Sequence, residues 1–273
     1  MVVKLSPKHL FKAPINAECV TPNVFAGKSL KEIAKLKVWE GNRRRTLSAL
    51  FHIKGQSDRT PQKTNICLSG NVQKVKRIGA GMSAGEILIQ GDVGMHLGEE
   101  MKGGKIIVAG NTDSWAGCMM KGGTIQIQGN AGDYVGAAYR GSTRGMQGGT
   151  IIIHGNVGNE IGYCMRKGLI KVHGNAGQFV GVHMRNGIIL VQGNSDGRAG
   201  AGMKKGKIIL RGYVKSVLPT FTIDEIRPKV KIDGETVEGP FYRFVGDLTE
   251  GGNGKLYVSK NKNVHLSFYE KYL

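Results

Sequence analysis

The chain has 273 residues, of which 43 are glycine, and a formal net charge of +19. This glycine content is well above the usual share and lacks the strict triplet of collagen, which indicates a turn-rich, repeated fold. No stretch approaches the roughly 18 apolar residues of a membrane span. The start of the chain has no signal-peptide core, so we expect a soluble, cytoplasmic protein.

Residues 1–69 do not repeat and are predicted to form a basic capping and docking segment. Residues 1–78 carry 16 Lys and Arg against four Asp and Glu, including the consecutive residues Arg43, Arg44 and Arg45. The chain has no RNA-binding signature and no aromatic residues interleaved with its basic ones. An acidic protein surface is therefore favoured over nucleic acid as the partner of this segment.

Two local elements are predicted within this segment. Ser29 followed by Glu32 is a capping-box pattern, which predicts a short helix through Leu36. Residues 46–53 are predicted to form a strand.

A 19-residue unit repeats from residue 70 to 212 and reads roughly Gly-Asn-x-Gly-x-x-x-Gly-x-x-Met-x-x-Gly-x-Ile-x-Val-x. After an irregular first copy at Gly70, its units begin at Gly91, Gly110, Gly129, Gly155, Gly174, Gly193 and Gly212. Several glycines in each unit exclude helices, at up to about 1 kcal/mol per glycine. One short strand per unit has alternating apolar residues that should face a common interior.

These features predict an all-β fold, a right-handed single-stranded parallel β-helix of seven to eight coils. Residues 213–273 are predicted to form a C-terminal cap, because an uncapped coil would expose unpaired backbone groups.

Two columns of equivalent residues are predicted to stabilise the coils. The asparagines should adopt the left-handed conformation and bond the equivalent Asn one coil away, with Asp92 interrupting the ladder. They are Asn71, Asn111, Asn130, Asn156, Asn175 and Asn194. The second column is predicted to fill the core with thioethers and to bind no metal. It comprises Met82, Met101, Met120, Met146, Met165, Met184 and Met203.

No catalytic, cofactor or metal site is predicted in this chain. Cys19, Cys67, Cys118 and Cys164 are too widely separated for a zinc or iron–sulfur motif, and isolated reduced thiols are expected. His154 and His173 occupy equivalent positions, but no carboxylate accompanies them, so a solvated pair is expected.

Three surfaces are predicted to contact a partner. Five outward strand positions are apolar, which is typical of a covered surface: Leu88, Ile107, Ile152, Leu190 and Ile209. The loop of residues 137–145 contains a seven-residue insertion and carries Tyr139, Arg140 and Arg144. The third surface is formed by Arg43, Arg44 and Arg45.

A rank of basic residues after the methionines either extends into water or meets acidic groups on a partner: Lys102, Lys121, Arg166, Arg185 and Lys204.

Three segments give the chain a resemblance to a known family, the C subunits of formylmethanofuran dehydrogenase. They are Asn23-Val-Phe-Ala-Gly-Lys-Ser-Leu30, Lys76-Arg-Ile-Gly-Ala-Gly-Met-Ser-Ala-Gly-Glu86 and Asp133-Tyr-Val-Gly-Ala-Ala-Tyr-Arg-Gly141. The repeat is also similar to the Gly-x-Gly-x-Gly domain at the C-terminal end of glutamate synthase large chains.

The resemblance implies a non-catalytic subunit of a hetero-oligomeric archaeal complex. That complex reduces CO2 and attaches it as a formyl group to methanofuran, the first step of methanogenesis. Tungstopterin or molybdopterin, iron–sulfur clusters and a metal-dependent amidohydrolase site are then expected in partner subunits.

Two alternatives stay open at this point. One is the C subunit of the bacterial formyltransferase/hydrolase complex, which lacks the redox half. The other is a free-standing β-helix protein that acts as an enzyme or binds polyanions.

Overall fold

The computed structural model describes residues 1–273 and places their strands in two sheets. The larger sheet has 13 strands and the smaller has four. None of the helices has the length and apolar composition that a membrane-spanning helix needs.

The N-terminal segment contributes short strands to both sheets. Its elements are β1 (Val2–Pro7), β2 (Ile15–Asn16), α1 (Pro22–Phe25), α2 (Leu30–Ala34), β3 (Lys37–Glu40), β4 (Arg43–Thr46), α3 (Leu47–Leu50), β5 (Phe51–Gly55), a 3-10 turn (Pro61–Lys63) and β6 (Asn65–Leu68). The capping box is confirmed, because Ser29 and Glu32 bond each other's backbone N–H groups at the start of α2. The predicted strand over residues 46–53 is wrong in its first half, where α3 precedes β5.

The repeats contribute one short parallel strand each. They are β8 (Glu86–Ile89), β9 (Lys105–Val108), β10 (Thr124–Ile127), β11 (Gln147–Ile153), β12 (Lys167–Val172), β13 (Ile188–Val191) and β14 (Lys207–Leu210), preceded by β7 (Val75–Lys76). Equivalent residues pair in register, as in Ile151 with Ile170. A second ladder of isolated parallel bridges runs from Val72 to Val214.

The C-terminal segment continues the larger sheet in antiparallel fashion. Its strands are β15 (Thr222–Ile232), β16 (Glu235–Gly246) and β17 (Gly254–Ser259), with 3-10 turns at Leu248–Glu250 and Val264–Tyr272. β17 pairs parallel with β14 and antiparallel with β16. The larger sheet thus has the order β15-β16-β17-β14-β13-β12-β11-β10-β9-β8-β6-β1-β5, and the smaller has the order β4-β3-β2-β7. The hairpin β15–β16 folds back over the outer face of the last repeat strands.

The predicted fold class is wrong. Parallel and antiparallel strands share one 13-stranded mixed sheet, and short α-helices accompany it, so the class is α/β-like rather than an all-β, single-stranded parallel β-helix. The physical reason lies at the chain ends. A parallel ladder ends in unpaired N–H and C=O groups, and β1, β5, β16 and β17 extend it by direct pairing. The division at residues 69 and 212 stays a prediction.

The core lies between the two ladders and contains the methionine column. All seven methionines of the column are fully buried, which confirms their position in the core. Thioether tips of the column lie beneath glycines of the next coil. A Cβ built on Gly187, for example, would lie 2.8 Å from Met165 Cε.

The asparagine ladder exists, but its chemistry differs from the prediction. A side-chain Oδ1 accepts the backbone N–H of the equivalent residue one coil on, for example from Asn156 to Asn130 at 2.7 Å. Asp92 continues the ladder by accepting from Asn111 at 2.7 Å. None of the six asparagines has a positive φ. The carboxamide thus acts as a backbone acceptor between coils.

Candidate functional site

One column of the repeat holds large side chains in the left-handed backbone region. Its members are Arg77, His96, Trp115, Tyr134, Glu160, Phe179 and Arg198, with φ between 56° and 63°. This conformation costs a residue with a side chain about 1–2 kcal/mol relative to the usual region. Glycine would avoid that cost, yet no member is glycine. Strained positions of this kind concentrate at functional surfaces, so the column marks a candidate site.

Three consecutive members form an aromatic ladder, defined as His96, Trp115 and Tyr134. The rings of His96 and Trp115 are 5.4 Å apart and 2° from parallel. Those of Trp115 and Tyr134 are 4.7 Å apart and 10° from parallel. All three side chains are half-buried, so part of the ladder is open to solvent. Sequence reasoning missed it, although Trp115, Tyr134 and Phe179 at equivalent positions were a usable signal.

The insertion folds against this ladder. The Tyr139 ring lies 5.7 Å from that of His96, and the Arg140 guanidinium lies 5.7 Å from the Trp115 ring. Arg166 Nη2 donates to the backbone oxygen of Thr143 at 3.3 Å. Tyr139, Arg140 and Arg144 remain exposed, so they are free to contact a partner.

A small cleft of about 240 Å³ opens between the ladder and the insertion. It is lined by Trp115, Tyr134, Ala138, Arg140, Gly141, Glu160 and Tyr163. Burial, together with the Glu160 carboxylate, raises the pKa of Tyr134. The cleft lies below the usual 300–1,000 Å³ of small-molecule sites, and its size suits one large side chain of a partner.

A polar cluster lies beneath the other end of the ladder. The buried Glu99 carboxylate accepts from Arg77 Nε at 2.7 Å, and its Oε2 lies 3.6 Å from His96 Nδ1. Cys118 stacks one coil above Glu99, and the ligand-type atoms of His96, Glu99 and Cys118 lie within 4.8 Å of one another. Burial lowers the pKa of His96, which favours the neutral ring. Because Arg77 already neutralises Glu99, the cluster is an ion pair beside a neutral imidazole.

A polar cavity of about 420 Å³ adjoins this cluster. It is lined by Asn16, Lys76, Arg77, His96, Glu99, Glu100, Met119 and Tyr139. Asn16 Oδ1 and His96 Nδ1 are buried here without a hydrogen-bond partner. The unpaired buried acceptor Asn16 Oδ1 costs free energy, so this cavity is suited to a group that donates a hydrogen bond.

Cys118 is expected to resist alkylation. Burial raises the pKa of its thiol to about 12, so the reactive thiolate is scarce at pH 8. Iodoacetamide at pH 8, followed by peptide mass spectrometry, should modify the half-buried Cys67 well before Cys118. Equal labelling of both in the folded protein would contradict this burial.

The predicted apolar strip is divided by the chain's own C-terminal hairpin. Leu88, Ile107 and Ile152 are half-exposed. Leu190 and Ile209, by contrast, are 2% and 0% exposed in a second core with residues of the hairpin. The prediction that all five face a partner is therefore wrong for these two.

The two predicted basic sets lie on different elements of the fold, one on β4 and the other in the repeats. Arg43, Arg44 and Arg45 lie exposed on β4 at the edge of the smaller sheet, and Arg45 Nε bonds Glu40 at 3.2 Å. In the basic rank, Lys121 bonds Glu100 at 2.7 Å and Lys204 bonds Glu250 at 3.3 Å.

The two equivalent histidines stack with ring centres 4.8 Å apart. Gln126 Nε2 lies 3.2 Å from His154 Nε2. Burial, followed by the neighbouring His154, lowers the pKa of His173. Both residues are exposed at the surface, in keeping with a solvated pair.

Comparisons with known proteins identify relatives of this chain. No family model matches the chain. A subunit in the crystal structure of the formyltransferase/hydrolase complex (FhcABCD) from Methylorubrum extorquens, in complex with methylofuran, is 31% identical with a TM-score of 0.83. The match covers 94% of this chain and 99% of that one. The chain belongs to the family of that subunit.

Curated relatives match over a shorter region. The C subunit of molybdenum-containing formylmethanofuran dehydrogenase 1 from Methanosarcina barkeri is 42% identical over 95 residues, 35% of this chain and 32% of the relative. That of the tungsten-containing dehydrogenase 2 from Methanothermobacter wolfeii is 41% identical over 94 residues, 34% and 35% of the two chains. That of the molybdenum-containing dehydrogenase 1 from Methanothermobacter marburgensis is 47% identical over 94 residues, 34% and 23%. The chain thus spans about a quarter to a third of the curated relatives it matches. The similarity to glutamate synthase stays a prediction.

Proposed function

We propose that this chain is a non-catalytic subunit of a hetero-oligomeric complex of the formylmethanofuran dehydrogenase type, which attaches CO2 as a formyl group to methanofuran. The observation that carries the proposal is the match over nearly the whole chain to a subunit of a formyl-processing complex, joined to local matches with the dehydrogenase C subunits. The strained aromatic ladder, its side-chain-sized cleft and the half-exposed strip are then docking surfaces for larger partner subunits. Pterin, iron–sulfur clusters and the amidohydrolase metal belong to those partners.

The bacterial formyltransferase/hydrolase type is a second candidate. It is favoured because the 31% match to that complex covers 99% of the matched subunit, whereas the dehydrogenase matches cover about a third. Both candidates assign the same structural role to this chain.

Affinity purification of the tagged chain from its native cells tests the proposal. Co-purifying iron–sulfur polypeptides with tungsten or molybdenum indicate the dehydrogenase, and a formyltransferase without those metals indicates the second candidate. Recovery of the chain alone, with hydrolase activity or bound nucleic acid, would overturn both.

Shortening the insertion is expected to weaken assembly while sparing the fold. Deleting residues 139–145 restores the 19-residue unit and removes the ring and guanidinium contacts of Tyr139 and Arg140 with the ladder. We expect a shift in the melting temperature of only a few degrees and a loss of co-purifying partners. Tyr139→Ala with Arg140→Ala serves as the matched variant that keeps the loop length. If the deletion variant melts at a much lower temperature but still co-purifies with its partners, the insertion is a structural clamp and not a partner contact.

A further inference from the structure

A basic groove of about 780 Å³ runs across the N-terminal ends of β11, β12, β13 and β14. Its floor is the glycine corner of four successive coils, formed by Gly149, Gly168, Gly187 and Gly206. Its sides carry Lys167, Lys205, Lys207 and Lys255, and its far rim is Asp233 in the hairpin turn. We name this surface the lysine groove.

The lysines of this groove form no ion pair within the chain, and Asp233 is the single acidic residue in the lining. Lys207 Nζ donates to the backbone oxygen of Lys231 at 3.1 Å, which leaves its charge unneutralised. Lys167, Lys205 and Lys255 form no ion pair and no side-chain hydrogen bond, whereas the adjacent Lys204 bonds Glu250. Lys207 and Lys255 also face each other directly on paired strands. Like charges at one strand spacing repel, so an anion in the groove would relieve that repulsion.

The groove has the dimensions of an extended chain. From the corner at Gly149 to Lys255 the groove crosses five strands, or about 19 Å at roughly 4.8 Å per strand. An extended peptide rises about 3.3 Å per residue, so about six residues span it. The floor glycines line the groove with backbone atoms alone, and a Cβ added to them would meet the buried methionine tips, as at Gly187, where it would lie 2.8 Å from Met165 Cε.

The lining favours acidic peptide over nucleic acid. Single-stranded nucleic acid binds on aromatic side chains that stack with its bases. The only large apolar side chains in the lysine groove are Leu169 and Ile188, and none is aromatic. Lysines on both sides suit a peptide in which successive acidic side chains point to alternate sides.

We propose that the lysine groove binds an extended acidic segment, about six residues long, of a partner polypeptide. The identity of that polypeptide rests on the proposed function, but binding of an acidic peptide to the groove does not. Failure of the peptide experiment would therefore leave the co-purification result untouched, and the reverse also holds.

Fluorescence anisotropy of the full chain with a labelled peptide, Asp-Glu-Asp-Glu-Asp-Glu, tests the proposal. We expect saturable binding that weakens with added salt, and at least tenfold weaker binding of the uncharged Asn-Gln-Asn-Gln-Asn-Gln peptide. The double variant Lys205→Gln and Lys255→Gln should lower the affinity at least tenfold.

A matched variant separates the groove from general positive charge. Lys35→Gln with Lys37→Gln removes the same charge from exposed, unpaired positions of the N-terminal segment and should change affinity less than twofold. Circular dichroism confirms that both variants fold. Equal losses in the two variants, absence of acidic-peptide binding, or tighter binding of oligothymidylate through Lys205 and Lys255 would overturn the proposal.

Discussion

Met165→Ala is expected to lower the free energy of unfolding by about 2–5 kcal/mol. Met165 is fully buried, and its Cε lies directly beneath Gly187 of the next coil. Ala would leave a cavity at this corner, which cannot collapse because the parallel strands on either side fix the coil spacing. Urea unfolding followed by circular dichroism measures the loss.

The half-exposed Met95 provides the control. Met95→Ala removes the same atoms outside the column and should cost about 0.5 kcal/mol or less. The tungsten, molybdenum and iron contents of the purified complex should be unchanged by Met165→Ala whenever the protein folds. A loss of metal with normal stability would show that the methionine column holds a ligand.

The methionine column could be predicted from the sequence because it depends on a local rule repeated in every coil. Met165 and Gly187 occupy fixed places in adjacent units, so the buried tip and the open corner recur together. The capping box at Ser29 is equally local. Such features require only the spacing of residues along one or two units.

The aromatic ladder and the Glu99 cluster depend on how the coils stack. The pattern of apolar residues along the sequence does not predict that stacking in detail. The residue type at the position of Trp115 varies from unit to unit, and glycines lie close to it in the sequence. The sequence therefore does not show that the backbone of Trp115 itself is left-handed. Glu99 and Cys118 are equivalent residues, but the contact of Glu99 with Arg77 and the approach of Cys118 to His96 depend on the actual direction of each side chain. Most of the candidate site therefore depends on tertiary geometry and could not be predicted from the sequence pattern.

The outward strip failed as a prediction at its C-terminal end for a similar reason. Alternation along β13 correctly places Leu190 opposite the core of the coils, but it does not show what covers that face. The covering residues lie further along the chain, in a hairpin whose sequence carries no repeat signal. Val230, Ile232 and Phe241 of that hairpin bury Leu190 and Ile209.

Replacing Leu190 by Lys is therefore expected to destabilise the protein, in contrast to the same change at Ile152. Leu190 is 2% exposed beneath the hairpin, and a lysine there would place an unpaired charge among apolar side chains. A buried charge without a partner costs about 3–5 kcal/mol. We expect the hairpin to detach, which limited proteolysis between residues 222 and 246 and a lower melting temperature would detect.

Ile152→Lys is the matched variant, because Ile152 occupies the equivalent position two coils away and is half-exposed. The intervening position already holds Lys171, which pairs with Glu235 of the hairpin at 2.8 Å. A lysine on this row is thus compatible with the fold wherever solvent or a carboxylate can reach it. Ile152→Lys should melt as the unsubstituted protein does and yet lose its partners on co-purification. If Leu190→Lys melts normally, the hairpin does not cover the strip as described, and if Ile152→Lys retains its partners, the uncovered half of the strip faces solvent in the complex.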